Sequence, residues 1–332
     1  MNNNTAAMDQ QKRHMGLKAS ARISNAIIYV ILVIMSIIWL IPFVFITIQS
    51  FRETPTNLTD YIFSPRQDKQ AIETVADDKE QSAPAAETKD APATTGTRER
   101  AKPTWGFGNY VKLWNSNFKN WYLNTFIIAL FTAALQTVII LCMSYTLSRF
   151  RFKLRKPMMQ FMLILGMFPG MLAMIILYRV LADLGLTKDN AVPGLILVYV
   201  ASSGMGYYVS KGFFDTIPKS LDEAARVDGA NRAQVLYKII LPLAKPIVIY
   251  TILTAFMAPW GDFVFARYIS FGSQTGMNVA VGMYNWLGKD QIGQWYTAFC
   301  AGGVAVALPV TILFMCLQKY YVEGVTGGAV KG

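Results

Sequence analysis

The chain has 332 residues, of which 53% are apolar and only 15% charged, and it carries a formal net charge of +11. A soluble chain ordinarily holds about a quarter charged residues, so composition points to a membrane protein and away from a soluble enzyme. One histidine, His14, and three cysteines inside apolar runs, Cys142, Cys300 and Cys316, leave little material for a zinc site, a structural disulfide or a Ser–His–Asp centre.

In chain order, residues 1–25 form a polar, basic tail. Residues 26–50 are the first run able to cross a bilayer as a helix, which takes about 20 apolar residues. The run is too long, and too little of a cleavage signal follows, for a removed signal peptide. Residues 51–123 form a long loop. Its part at about 66–104 is rich in Ala, Thr, Lys, Glu and Asp and almost free of large apolar residues. It cannot bury enough surface to offset its ordering entropy, which predicts an exposed, disordered insertion. A core follows over 124–318, with apolar runs at roughly 124–148, 158–181, 191–210, 245–268 and 298–318. The predicted fold is an all-α integral membrane protein with six transmembrane helices. Trp121 and Tyr122 flank the second run, and Tyr320 and Tyr321 follow the sixth, at the interfacial depth aromatic rings favour. In the third, Gly166 and Gly170 are four apart and permit close helix approach, and Pro169 predicts a kink.

Charge sets the orientation. The N-terminal tail sums to +3, the connection between runs two and three to +5, the connection between runs four and five to +2, and the tail 319–332 to +1; together these are the whole net charge. The loop 51–123 holds ten basic and ten acidic residues and sums to zero. Lys and Arg collect on the cytoplasmic side, so both termini are expected in the cytoplasm of a multi-pass protein of a bacterial cytoplasmic membrane. Topology accounts for the positive charge, and no nucleic-acid partner is needed.

The connection at about 212–244 carries the most information. Ser220 followed by Glu223 predicts a capping box opening a helix over SLDEAARVD. Gly229 predicts its left-handed stop. Asn231 is expected to cap a second helix, RAQVLYKII, ending at Pro242. Leu221, Ala224, Ala225, Val235, Leu236 and Ile239 suit either a pair docked in a groove on a cytoplasmic partner or one that only joins two spans.

Glu223-Ala224-Ala225, three residues, Gly229, nine residues, Ile239, one residue, Leu241-Pro242 resembles the EAA loop of ATP-binding-cassette import permeases, with its fixed positions filled. The number of runs, the place of the loop and the C-terminal YVEGVTGGAVKG resemble the binding-protein-dependent sugar permeases, of the maltose/maltodextrin G-subunit kind, over roughly 105–332 and the first run. The resemblance implies type I importer architecture and a coupling helix held by a partner ATPase dimer. It also implies a second, related permease subunit, a sugar-binding protein outside the membrane and import of an oligosaccharide by alternating access. Gly324, Gly327, Gly328 and Gly332 are implied to reach the ATPase. The loop FGSQTGMNVAVGMYNWLGKDQIGQW is implied to reach into the binding protein. The insertion at 66–104 departs from the family pattern.

No G-x-x-x-x-G-K-[ST] motif occurs, so this chain is expected to hold no cofactor or metal; ATP and Mg belong on the partner ATPase. Asp262 stands beside Trp260 in the fifth run, and an intramembrane carboxylate is a candidate pathway residue. Trp260 is expected either to stack on a sugar ring or to pack helices, and Asp262 either to line the pathway, to pair with Arg267 or to open to a cavity. A secondary transporter would need an ion-coupling network, for which only Asp262, Arg267 and Arg179 offer groups. A membrane enzyme would need a His, Cys or carboxylate cluster, and the sequence contains none.

Overall fold

The computed structural model describes residues 3–53, 104–167, 170–288 and 292–329. The expectations for the insertion at 66–104, for Pro169 and for Gly332 fall outside these residues. Among the described residues regular structure is helical, with one isolated antiparallel bridge between Arg52 and Trp105.

Helix α1 (Asn3–Ser50) contains the apolar stretch Asn25–Ser50, none of whose most apolar window is buried within the protein. Ile27, Ile34, Trp39 and Phe43 are all exposed. A stretch that is apolar all round and left exposed over most of its length is one made for lipid. Its C-terminal turns lie against α13 (Ile292–Ala329). A short helix, α2 (Gly108–Trp114), follows the long loop.

Helix α3 (Phe118–Arg149) is the axis of the fold. It packs against α6 (Ala191–Ala201), α7 (Gly204–Thr216) and α10 (Lys245–Gly261). The face it buries carries Thr125, Thr132, Thr137, Ser144 and Ser148, while Phe126, Leu130, Phe131 and Val138 face outward. Lipid tails are as apolar as leucine, so the inner face is chosen for small, hydroxyl-bearing residues that let helices approach and bond. Gln136 shows the result: its Nε2 donates to the Tyr199 carbonyl at 3.0 Å and to Ser203 Oγ at 3.1 Å.

Among the described residues three helical stretches are long and apolar enough to span a bilayer alone: Asn25–Ser50, Phe118–Arg149 and Gln294–Tyr320. Two bent pairs bring the number to five: Lys188–Ala201 with Gly206–Thr216, bent by 41°, and Arg232–Leu243 with Lys245–Gly261, bent by 85°. The remaining predicted run, 158–181, appears as α4 (Arg155–Gly166) and α5 (Gly170–Asp183). The fifth run is shorter than expected. Helix α10 stops at Gly261, Asp262 is extended (φ −78°, ψ 108°), and a separate short helix, α11 (Val264–Ile269), carries the rest.

The predicted outer loop between runs five and six is not free. Its α12 (Val279–Asn285) buries Val279, Val281 and Met283. Asn278 caps α12 by accepting from Val281 N at 3.0 Å, and its Nδ2 donates to the Asp262 carbonyl at 2.6 Å. Trp121 Nε1 donates to the Gln274 carbonyl at 3.0 Å, and Val279 N donates to Thr125 Oγ1 at 2.8 Å. The loop is thereby laced to the first turns of α3.

Two apolar clusters result. One gathers Phe118, Trp121, Trp260, Val279 and Trp286 near the N-terminal end of α3. The other gathers Tyr145, Phe214, Ala225, Val235 and Ile240 at its C-terminal end.

Candidate functional site: the connection between α7 and α10

Helix α8 (Lys219–Val227) is entered through Pro218, whose ring presets the backbone near φ −57°. The capping box expected from Ser220 and Glu223 is not formed: the cap position is Pro218 and makes no side-chain bond. Because the proline starts the helix earlier, Ser220 lies inside the first turn. The helix ends as its sequence predicts. Gly229 has φ +87°, with Gly229 N donating to the Arg226 carbonyl at 3.1 Å and Ala230 N to that of Ala225 at 2.9 Å, which is the Schellman pattern. Nothing lies within 4 Å of where a Gly229 Cβ would stand, so conformation alone asks for glycine here.

The capping box exists one helix later. In α9 (Arg232–Val235) Gln234 N donates to Asn231 Oδ1 at 2.9 Å, and Asn231 N donates to Gln234 Oε1 at 2.8 Å. The second helix does not end at Pro242. It widens into a π turn over Leu236–Ile240 and closes over Leu241–Leu243. Pro242 has no N–H, and its ring would crowd the carbonyl four residues back in a regular helix; the wider turn relieves both.

Of the motif residues, Ala225 points inward at 8% exposure, and Ile239 and Leu241 pack on the same cluster; Glu223, Ala224, Gly229 and Pro242 are exposed. Beside Glu223 and Ala224, Leu221 and Val227 also stand exposed, at 41% and 88%. Among the described residues the helix thus has one face held by the protein and one left exposed.

What grips the inner face is an ion pair. Arg149 Nε lies 3.0 Å from Asp222 Oδ2, with side chains only 4% and 14% exposed. Arg149 Nη2 also donates to the Ile217 carbonyl at 3.0 Å. Burial pushes the Asp222 carboxyl above its ordinary range, and the Arg149 guanidinium pulls against that without reversing it. Next to it, Ser148 Oγ donates to Asp215 Oδ1 at 2.6 Å, and Tyr145 OH donates to the Arg232 carbonyl at 3.2 Å. The last turn of α3 therefore holds the segments before, within and after α8.

Asp262 and Trp260 lie far along the chain's other end. Asp262 Oδ2 accepts from Tyr199 OH at 2.5 Å, and Oδ1 accepts from Phe265 N at 3.1 Å, so the carboxylate closes one helix and starts the next. The pairing with Arg267 does not occur: Arg267 donates to Asn285 Oδ1 at 3.3 Å and lies over the rings of Phe263 and Tyr284. Trp260 is 6% exposed and edge-on to Tyr122, with ring centroids 5.3 Å apart. Tilted against Phe256 at 6.0 Å as well, the ring is packed among aromatic side chains of its own chain.

Residues 140–327 match the family described as the inner membrane component of binding-protein-dependent transport systems. The chain belongs to this family. It is 36% identical to the maltodextrin transport system permease protein MdxG of Bacillus subtilis, over 69% of this chain and 82% of that protein. It is 38% identical to the maltodextrin permease MalD of Streptococcus pneumoniae, over 68% and 80%. The galactooligosaccharides permease GanQ of Bacillus subtilis is also 38% identical, over 65% and 75%. Among solved structures, a bacterial importer of the acidic polysaccharide alginate shares the fold, with a TM-score of 0.65 at 22% identity over 91% of this chain and 98% of that one.

In this permease Gly324, Gly327 and Gly328 lie within helix α13, which continues to Ala329, well past the expected end of the sixth run at 318. Sequence reasoning missed two features. Arg149 counted only as one of five basic residues after run two, and nothing in the chain's spacing pairs it with Asp222. At the opposite end, a cavity of about 720 Å3 is lined by Asn115, Asn117, Arg267, Asn285 and the edges of Trp121 and Trp286. Trp286 there stacks on Trp295 at 4.8 Å. The cluster of Trp and Asn residues flanking runs two and six was its only sequence signal.

Proposed function

We propose that this permease is one of two related membrane subunits of an ATP-driven importer that carries an oligosaccharide inward by alternating access. It spans the membrane six times with both termini in the cytoplasm. Helix α8 docks into a partner ATPase dimer, which holds the ATP and Mg, and the end of α13, with Gly324, Gly327 and Gly328, reaches the same partner. A soluble sugar-binding protein delivers cargo to the outer face, and the alignment with maltodextrin and galactooligosaccharide permeases supports a neutral oligosaccharide as that cargo.

The observation that carries this reading is the two-faced α8. Asp222 and Ala225 fasten it to α3, while Glu223, Ala224, Leu221 and Val227 are presented outward. A rigid helix with an unfilled outer face suits a groove on a partner, and its tie to α3 lets closure of that partner move the spans as rigid bodies. Glu223 anchors the docked helix, and Gly229 permits its turn. Asp262, through Tyr199, positions the pathway wall, and Trp260 packs behind it.

The test is uptake of labelled malto- and galacto-oligosaccharides into vesicles holding the permease, its companion permease, ATPase and binding protein. Uptake is expected to require ATP and to be lost in Gly229→Asp. Normal ATP-dependent uptake by an assembled Gly229→Asp complex, or uptake driven by an ion gradient alone, overturns the reading. Lost uptake in a normally assembled Asp262→Asn complex supports its pathway role; unchanged uptake removes it.

A further inference from the structure

At the C-terminal end of α3 lies a second cavity, of about 310 Å3, walled by Tyr145, Arg149, Arg151, Asp222, Arg226 and Arg232. Four guanidinium groups meet there with one carboxylate. A guanidinium does not give up its charge inside a protein, so four against one leaves an excess of three positive charges around a polar hollow. Like charges at this spacing repel, and a cavity of this make-up calls for a counter-charge.

The buried member gives the direction. Arg149 Nε faces Asp222 Oδ2 at 3.0 Å as an ion pair, and Nη2 donates to the Ile217 carbonyl. Among the described residues the buried Arg149 Nε and Nη1 have no hydrogen-bond acceptor, and the buried Asp222 Oδ1 has no donor. A buried N–H donor without an acceptor is rare in folded proteins. Arg232, lying 4.5 Å over the Phe150 ring, is held at the cavity wall. An anion with several oxygens would offset the charge of Arg149, Arg151, Arg226 and Arg232 at once. At about 30 Å3 per water molecule, the cavity has room for a tetrahedral oxyanion with some of its water.

Its position chooses the source. The cavity sits where α3 leaves its apolar stretch, and the chain beside it exposes Phe152 and Leu154, at 38% and 67%. Apolar side chains next to a basic hollow at the end of a span match the level at which phospholipid headgroups lie. We propose that this cavity binds the phosphate of an anionic phospholipid of the inner leaflet, with Arg151 and Arg232 facing the phosphate oxygens and Arg149 adding its charge from behind the wall. The site rests on the cytoplasmic orientation given above, but not on transport. Because Arg149 also grips Asp222, a bound headgroup stiffens the tie between α3 and α8.

The experiment uses the complete transporter in nanodiscs of phosphatidylcholine with phosphatidylglycerol, and counts retained phosphatidylglycerol by native mass spectrometry. The comparison is Arg151→Gln/Arg232→Gln, which leaves the Arg149–Asp222 pair intact. Two basic residues near a membrane surface contribute about 1 kcal/mol each, so retention is expected to fall roughly thirtyfold, with thermal unfolding in pure phosphatidylcholine unchanged. Equal retention overturns the proposal. So does a variant that keeps its lipid but loses the ATPase, since an acidic side chain of the partner would then be the occupant. Added inorganic phosphate raising the unfolding temperature of the wild type in pure phosphatidylcholine, with no selective retention of phosphatidylglycerol, assigns the same oxyanion chemistry to a soluble source and overturns the headgroup. Lipid retention is read without transport, so failure of the importer reading leaves this result interpretable.

Discussion

The tie between Arg149 and Asp222 gives the sharpest test of how α8 is held. Removing one member of a buried pair is expected to cost about 3–5 kcal/mol, because the other charge is left in the protein without its partner. The two single changes leave different groups behind. In Asp222→Ala the guanidinium of Arg149, 4% exposed, cannot lose its charge; the full loss is expected at neutral pH and shrinks toward acid, where the wild-type Asp222 itself takes up a proton. In Arg149→Met the carboxyl can take up a proton. Burial already holds Asp222 above its ordinary range in spite of Arg149, and without the guanidinium it rises further. A carboxyl whose native pKa is raised contributes its stability below its unfolded value, about 3.9. That contribution is lost as pH climbs through the native value. The deficit of Arg149→Met relative to wild type should therefore grow from acid toward neutral pH. Replacing both, as Arg149→Met/Asp222→Leu, removes the charges together and is expected to restore most of the stability. The coupling energy of the cycle should reach about 2–3 kcal/mol at neutral pH. Equilibrium unfolding in mixed micelles of mild detergent and dodecyl sulfate measures all four proteins. Additive single losses, or an Arg149→Met deficit that does not change with pH, would show that the pair does not hold the helix.

Caps and close contacts give the remaining tests, by the same unfolding assay. Ser220→Ala should change stability by less than about 0.5 kcal/mol, because Ser220 is not the cap, while Asn231→Ala should lose about 1 kcal/mol. Gly229→Ala should lose roughly 1–2 kcal/mol from its left-handed backbone, and Gly229→Asn less, because nothing crowds the added atoms; equal losses would mean that space, not conformation, selects glycine. In Gly282→Ala the new Cβ runs into the indole of Trp121, with an expected loss of about 1–3 kcal/mol and a shift in tryptophan emission. Tyr199→Phe leaves Asp262 without its hydroxyl donor and should lose about 1–3 kcal/mol, more than Asp262→Asn, which still offers Tyr199 an oxygen.

Much of the architecture could be read from sequence because the membrane enforces a simple rule on span length and charge. The apolar runs fall on helices, and the hydroxyl-bearing face of α3 is visible as Thr125, Thr132, Ser144 and Ser148 spaced along one side. Helix ends were harder. Apolarity continues past Gly261, so nothing in hydropathy marks the stop at Asp262. That stop depends on Tyr199 and Asn278, which come from other parts of the chain. The loop after α11 is legible only as a connection implied to reach a partner, and nothing in its sequence shows that its backbone groups bond inward to Trp121, Asn124 and Thr125. In the connection between α7 and α10 the motif spacing located α8 and the Gly229 turn, but not the contacts with α3 that hold them.

Arg149 shows why those contacts were invisible. Its charge fits the cytoplasmic end of a span whatever it touches, so the topological reading explains it completely and prompts no search for a partner. In the fold the same position brings it beneath the returning α8, where Asp222 closes the pair. A charge that suits the end of a span lies where α8 is fastened, because both belong to the C-terminal end of α3. One residue can therefore serve both ends, and the carboxylate it meets is distinguishable from an ordinary solvated helix-start acid only once the two segments are packed together.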